Sequence, residues 1–104
     1  MNDILPGISR IWQELEKNAI SVLRQFGYSE IRTPVMEEKG LFIKSVGGET
    51  DIVTKEMFSF QDRGERDVVL RPEGTAPIVR AYLEANLHKT DPFQKFYYIE
   101  PMFR

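Results

Sequence analysis

Arg71-Pro72-Glu73-Gly74-Thr75-Ala76-Pro77 sets a carboxylate, a glycine and a hydroxyl side by side, between a short apolar run and the expected start of a helix. A strand-to-helix turn carrying polar groups in this way is a common seat for a small-molecule site. Gly74 permits a sharp turn through backbone angles closed to other residues. Thr75 is placed to cap the helix by accepting a bond from a backbone N–H. Pro77 fits a first helical turn, where a missing donor does no harm. The same residues read equally well as a structural cap beside a surface glutamate, and turn chemistry alone leaves both readings open.

The elements that must position this turn follow from patterning. Residues 57–61 and 67–71 read as paired strands, and the link 62–66 contains Gly64, the glycine a short hairpin loop needs. A helix is expected from the turn through about Leu87, with Ile78, Val79, Tyr82 and Leu83 as its buried face. Arg80 and Glu84 are spaced for a surface pair worth roughly 0.2–0.5 kcal/mol. Residues 88–92 read as a loop, with His88 a helix-end cation or a solvated side chain. The aromatic run 93–104 reads as a strand. Its abrupt end gives the expectation that the chain is a fragment of a longer protein, since domains usually end in exposed polar segments.

Upstream, a helix is expected from near Ser9, with Ile8, Ile11, Trp12, Leu15, Ala19, Val22, Leu23 and Phe26 on one apolar stripe and Gly27 as its stop. Core packing is the expected use of the stripe, and an oligomer contact the alternative. Residues 28–35 read as a strand in which Pro34 marks an edge, a bulge or the end. Residues 37–39 read as a solvated turn, 41–46 as a short helix, and 47–51 as a polar connecting loop.

Composition narrows the function classes. A chain of 104 residues with 41% hydrophobic and 29% charged residues is globular rather than disordered. A formal net charge of -2 gives no reason to expect general nucleic-acid affinity from this segment. Without cysteine there is no thiolate metal site or disulfide, and a single histidine rules out an all-histidine site. The opening residues show no basic segment followed by an apolar core, so the expectation is a cytoplasmic protein with no membrane partner.

Four stretches together resemble the N-terminal part of bacterial histidyl-tRNA synthetases, a class II aminoacyl-tRNA synthetase family. They are Asn2-Asp3-Ile4-Leu5-Pro6, the long helix with residues 27–34, Arg71-Pro72-Glu73-Gly74-Thr75-Ala76, and Tyr98-Ile99-Glu100-Pro101-Met102-Phe103-Arg104. The helix with residues 27–34 resembles class II motif 1. The stretch from Arg71 resembles the turn that holds the substrate histidine, and the stretch ending at Arg104 resembles the opening of motif 2. Motif 1 alone is loose, but the other two at this spacing are specific. Glu100 is a departure, because glycine is expected before Pro-Met-Phe-Arg; a solvent-facing Glu100 is the simplest expectation.

The resemblance implies an α+β fold, an antiparallel class II sheet flanked by helices and present only in part. Residues 1–104 would form the N-terminal part of the catalytic domain, from motif 1 through the start of motif 2. It implies a homodimer formed through motif 1, and a ligase that activates histidine with ATP and Mg2+ before passing it to tRNA. Glu73 would accept from the α-ammonium or the imidazole of histidine, Thr75 would add a hydroxyl contact, and Gly74 would let backbone and ligand approach. Arg104 would be the catalytic arginine, binding the histidine carboxylate and the α-phosphate of ATP. Lys95 and Arg71 are expected to be structural or exposed. Most of the ATP site is expected beyond Arg104, so these residues alone should not be a competent synthetase. Two alternatives remain: a regulatory paralogue of histidine biosynthesis, and a dimerisation or interaction module.

Overall fold

A computed structural model describes residues 2–45 and 56–104, and the expected loop 47–51 lies outside the described residues. The chain divides into two units, one of residues 1–30 with 94–97, the other of residues 31–93 with 98–104.

In the first unit, helix α1 spans Pro6–Gln25. It begins before Ser9, because Pro6 at the first helical position is already set to a helical φ and needs no donor there. Its end is a Schellman motif. Gly27 takes φ +80, the Gly27 N–H donates to the Arg24 carbonyl at 3.0 Å, and the Tyr28 N–H donates to the Leu23 carbonyl at 3.0 Å. Lys95 Nζ donates to the Phe26 carbonyl at 2.9 Å and stands 5.7 Å from the centre of the Tyr28 ring. Lys95 therefore has a structural role at the helix end, where a cation also meets the negative pole of the helix. No residue of α1 is buried. Ile8, Ile11, Trp12, Leu15, Val22 and Phe26 are all exposed, which overturns the expectation that the stripe packs into a core of this chain. Strand β1 (Ser29–Glu30) pairs in parallel with β5 (Phe96–Tyr97), Ser29 opposite Phe96. Each strand is much shorter than the stretch that suggested it, residues 28–35 for β1 and 93–104 for β5.

The second unit is built on a three-stranded antiparallel sheet. Strand β2 (Met36–Glu38) and β3 (Ser59–Gln61) flank β4 (Asp67–Leu70). Met36 lies opposite Leu70, and Gln61 opposite Asp67. Residues 37–38 are thus strand rather than turn, and Pro34, which has no N–H to donate, lies just outside it. Helix α2 (Lys39–Ser45) follows β2 directly. The β3–β4 hairpin turns as expected, but its left-handed residue is Glu65, at φ 60, and not Gly64. Asp62 organises the loop by accepting from the Gly64 N–H at 2.8 Å and the Arg66 N–H at 3.0 Å.

Helix α3 (Thr75–Glu84) leaves the central turn. It stops short of Leu87 because Asn86 adopts φ 57, after which α4 (Leu87–Thr90) forms one further turn where a loop was expected. The buried residues of α3 are Ala76 and Pro77, while Val79 and Leu83 are exposed, which corrects the face inferred from periodicity. Arg80 pairs with Glu84 at 2.9 Å as expected and also with Glu37 on β2 at 2.7 Å, tying α3 to the sheet edge. Phe42, Met57, Val69 and Ala76 make the core, with Leu41 packed against it. Phe42 and Val69 are wholly buried, and full burial of such a side chain contributes roughly 1.5–3 kcal/mol.

Candidate active site

Strand β4 delivers its last residues into the turn, and α3 starts from it. Gly74 is the N-cap residue, with φ -107 and ψ -15, and its helix has no side-chain cap bond from that position. Glu73 supplies the missing acceptor. Its Oε2 accepts from the Thr75 N–H at 2.6 Å, and its Oε1 accepts from the Ala76 N–H at 3.0 Å. A carboxylate here satisfies two of the orphan donors at the helix start and faces the positive end of the helix dipole. This reverses the expected division of labour, in which Thr75 was the cap and Glu73 stood free. Thr75 is exposed, so its hydroxyl is open to a ligand. Each carboxylate oxygen of Glu73 still has acceptor capacity, since an ionised carboxylate offers about four lone-pair sites.

Gly74 is required for space rather than for backbone freedom. Its φ is one that any residue adopts. What forbids a side chain is Tyr98: a Cβ on Gly74 would lie 2.6 Å from Cζ of that ring.

Arg71 is only 2% exposed. Its Nη1 pairs with Glu100 Oε2 at 2.7 Å and donates to the Thr33 carbonyl at 2.9 Å. Nε donates to the Pro101 carbonyl at 3.0 Å. Glu100 is itself 14% exposed, so it turns inward and not to solvent. A buried guanidinium needs a counter-charge and filled donor sites, and Glu100 meets the first need while the two carbonyls meet the second. Arg71 is accordingly structural and buried, and Glu100 is its partner. Neither was singled out for a site from sequence. The available signal was an arginine closing the apolar run of Val68, Val69 and Leu70, with an unexpected acid before Pro101.

Glu73, Gly74, Thr75 and Arg104 all line one open cleft of about 400 Å³, together with Pro72, Tyr98, Ile99, Glu100 and Met102. The four residues singled out from sequence thus converge. A carboxylate, a hydroxyl and a guanidinium around one cleft can hold a zwitterionic ligand, its ammonium at the acid and its carboxylate at the arginine. A second groove, of about 690 Å³, shares Glu73 and Thr75 but is lined otherwise by Leu41, Ala76, Val79, Leu83, Arg80 and Glu84, and it lacks Arg104. Among the described residues no group of three His, Cys, Asp or Glu could hold a metal ion, and no described helix is long and apolar enough to cross a membrane.

The family model described as histidyl-tRNA synthetase matches residues 1–104. The chain belongs to the histidyl-tRNA synthetase family. A histidine–tRNA ligase of Syntrophotalea carbinolica is 51% identical over 104 residues, covering 100% of the chain and 25% of that protein. One from Desulforamulus reducens is 55% identical over 103 residues, again across 25% of its length. The chain therefore spans about a quarter of the length of the curated relatives it matches. Among solved structures, apo histidyl-tRNA synthetase of S. aureus superposes with a TM-score of 0.82 at 40% identity, over 100% of this chain and 24% of that one. A Bacillus halodurans protein described as an ATP phosphoribosyltransferase regulatory subunit/histidyl-tRNA synthetase gives a TM-score of 0.80 at 26% identity, over 100% of this chain and 26% of that one. The α+β architecture of sheet and helices is thus that of histidyl-tRNA synthetase domains.

Proposed function

We propose that residues 1–104 are the N-terminal part of the catalytic domain of a histidine–tRNA ligase, running from motif 1 through the start of motif 2. The observation that carries this reading is the gathering of Glu73, Gly74, Thr75 and Arg104 around one cleft in a chain of this family. In the reaction, an oxygen of the histidine carboxylate attacks the α-phosphorus of ATP. The bond to the β-phosphate breaks, pyrophosphate leaves, and histidyl-adenylate forms. A terminal ribose hydroxyl of tRNA then attacks the acyl carbon and AMP leaves.

Arg104 holds the carboxylate near the α-phosphate and offsets the negative charge that grows there during attack. Glu73 accepts from the ammonium or the imidazole of histidine, with Thr75 adding its hydroxyl. A site that hydrogen-bonds a polar substrate discriminates against analogues that leave its groups unpaired. Mg2+ enters with the phosphates of ATP. The uncovered apolar stripe of α1 supports a homodimer formed through that helix, since contiguous exposed apolar surface marks an interface. The working location is the cytoplasm, where tRNA is charged.

The test is histidine-dependent ATP–pyrophosphate exchange, on the 104-residue chain and on the full-length protein that carries it. Exchange is expected from the full-length protein and not from the chain, which spans only about a quarter of its relatives' length. A second reading, a regulatory subunit, is favoured by the likeness to the Bacillus halodurans protein. Absence of exchange from a folded full-length protein with Mg2+ present would replace the ligase reading by that one.

A further inference from the structure

Arg71 grips the segment that leads into Arg104. Beyond the Glu100 pair at 2.7 Å and the Pro101 contact at 3.0 Å, its own carbonyl accepts from the Phe103 N–H at 3.0 Å. On its other side Nη1 reaches the Thr33 carbonyl at 2.9 Å, and the Arg71 N–H donates to the Val35 carbonyl at 2.9 Å. One residue thus fixes the segment before Arg104 and anchors it to the start of the sheet. We propose that Arg71 and Glu100 are positioning residues, which set the place of Arg104 in the cleft it shares with Glu73.

The geometry distinguishes this from simple stabilisation. Residues 100, 101 and 103 are each held by Arg71, so the backbone is held up to the residue before Arg104. A guanidinium is planar and its donors are directional, so its bonds fix orientation as well as charge. A lysine in its place would carry the charge without that fork. Glu100 couples the segment to Arg71 by a charge that a glycine at this position could not supply. What Arg104 does once positioned rests on the ligase reading above; the positioning itself does not.

Two measurements test it. In the 104-residue chain, amide hydrogen exchange at Phe103 should be slow. Arg71→Lys and Glu100→Gly should each speed it on the order of tenfold or more while the amides of α3 stay protected. In the full-length protein, Glu100→Gly should lower kcat for pyrophosphate exchange, per titrated active site, by on the order of tenfold, a modest misplacement of a reacting group. Glu100→Gln, which keeps an acceptor oxygen, should fall between it and the parent. Should Arg71→Lys fail to fold, Glu100→Gly carries the test. An unchanged Phe103 amide, or one that speeds only together with α3, overturns the proposal, as does a loss of stability with kcat per site intact. If the unsubstituted full-length protein shows no pyrophosphate exchange, the ligase reading fails, and the Phe103 amide still decides the positioning.

Discussion

The ring of Tyr98 fills the space in which a side chain on Gly74 would begin. A Cβ built there would lie 2.5 Å from Cε2 and 2.8 Å from the hydroxyl oxygen. Gly74→Ala should therefore destabilise the fold through crowding, with the ordinary φ of the residue contributing nothing. Because the clash falls on the free end of a partly exposed side chain, the cost should sit near the lower end of the range for overpacking, about 1 kcal/mol. Tyr98→Ala in the same chain should recover most of it. Urea denaturation of both single variants and the double variant checks this, and additive effects would show that the ring is not what Gly74 makes room for.

Glu73 has one task in the fold and a second in the proposed ligase, and substitution can tell them apart. As a cap it holds the Thr75 and Ala76 N–H groups. Glu73→Gln keeps one acceptor oxygen of the two, so one of these N–H groups loses its partner, and it should cost about 1 kcal/mol of stability. As the proposed histidine ligand it would supply a negative charge that glutamine lacks. In the full-length protein the same substitution should lower kcat/KM for histidine by on the order of a hundredfold, because a polar substrate group is left poorly paired. Steady-state pyrophosphate exchange against histidine concentration gives the answer. An unchanged value would leave Glu73 a structural cap only.

In the β3–β4 hairpin the strained position is Glu65, at φ 60. A non-glycine residue there costs on the order of 1 kcal/mol, and glycine removes the strain at some loss of unfolded-state restraint. Glu65→Gly should stabilise the chain by about 0.5 kcal/mol, read as a higher midpoint in thermal unfolding. Gly64→Ala should be close to neutral by the same measure.

The carboxyl of Asp62 in that hairpin is held below its ordinary value of 3.8, first by the backbone N–H of Arg66 and then by the Arg66 side chain. A carboxyl whose folded value is depressed contributes stability above its unfolded pKa. That contribution disappears as pH falls through the folded value. Acidification from about pH 5 to about pH 3 should therefore lower the denaturation midpoint of the parent by more than that of Asp62→Asn. Equal slopes in the two proteins would show that the Asp62 contacts do not form in solution.

Local chemistry made the site turn, the hairpin and the first helix readable, because each is announced by neighbouring residues. The Gly27 stop is contained in a few positions, while the start at Pro6 comes three residues before the one expected near Ser9. What could not be read were matters decided at a distance. The apolar stripe of α1 says that one face avoids water, but periodicity cannot say what covers that face. The glycine of the hairpin drew attention from Glu65, since the left-handed position depends on the register of the strands and not on which residue suits it best. Arg71 and Glu100 were passed over because a charged residue is buried only when distant partners meet it. The parallel pairing of β1 with β5 joins residues from opposite ends of the chain, and aromatic content alone could not have specified it.

The buried guanidinium of Arg71 also orders events during synthesis. Its acceptors are Thr33, which leaves the ribosome earlier, and Glu100 and Pro101, which leave later. Until Glu100 emerges, the charge has no counter-ion and is better served by water, so the turn that follows Arg71 has no reason to settle against the sheet. The hairpin and α3 are able to form from local contacts while the chain is still growing. Within residues 1–104, the cleft that Glu73 shares with Arg104 is thus closed only after the sheet and α3 have been made.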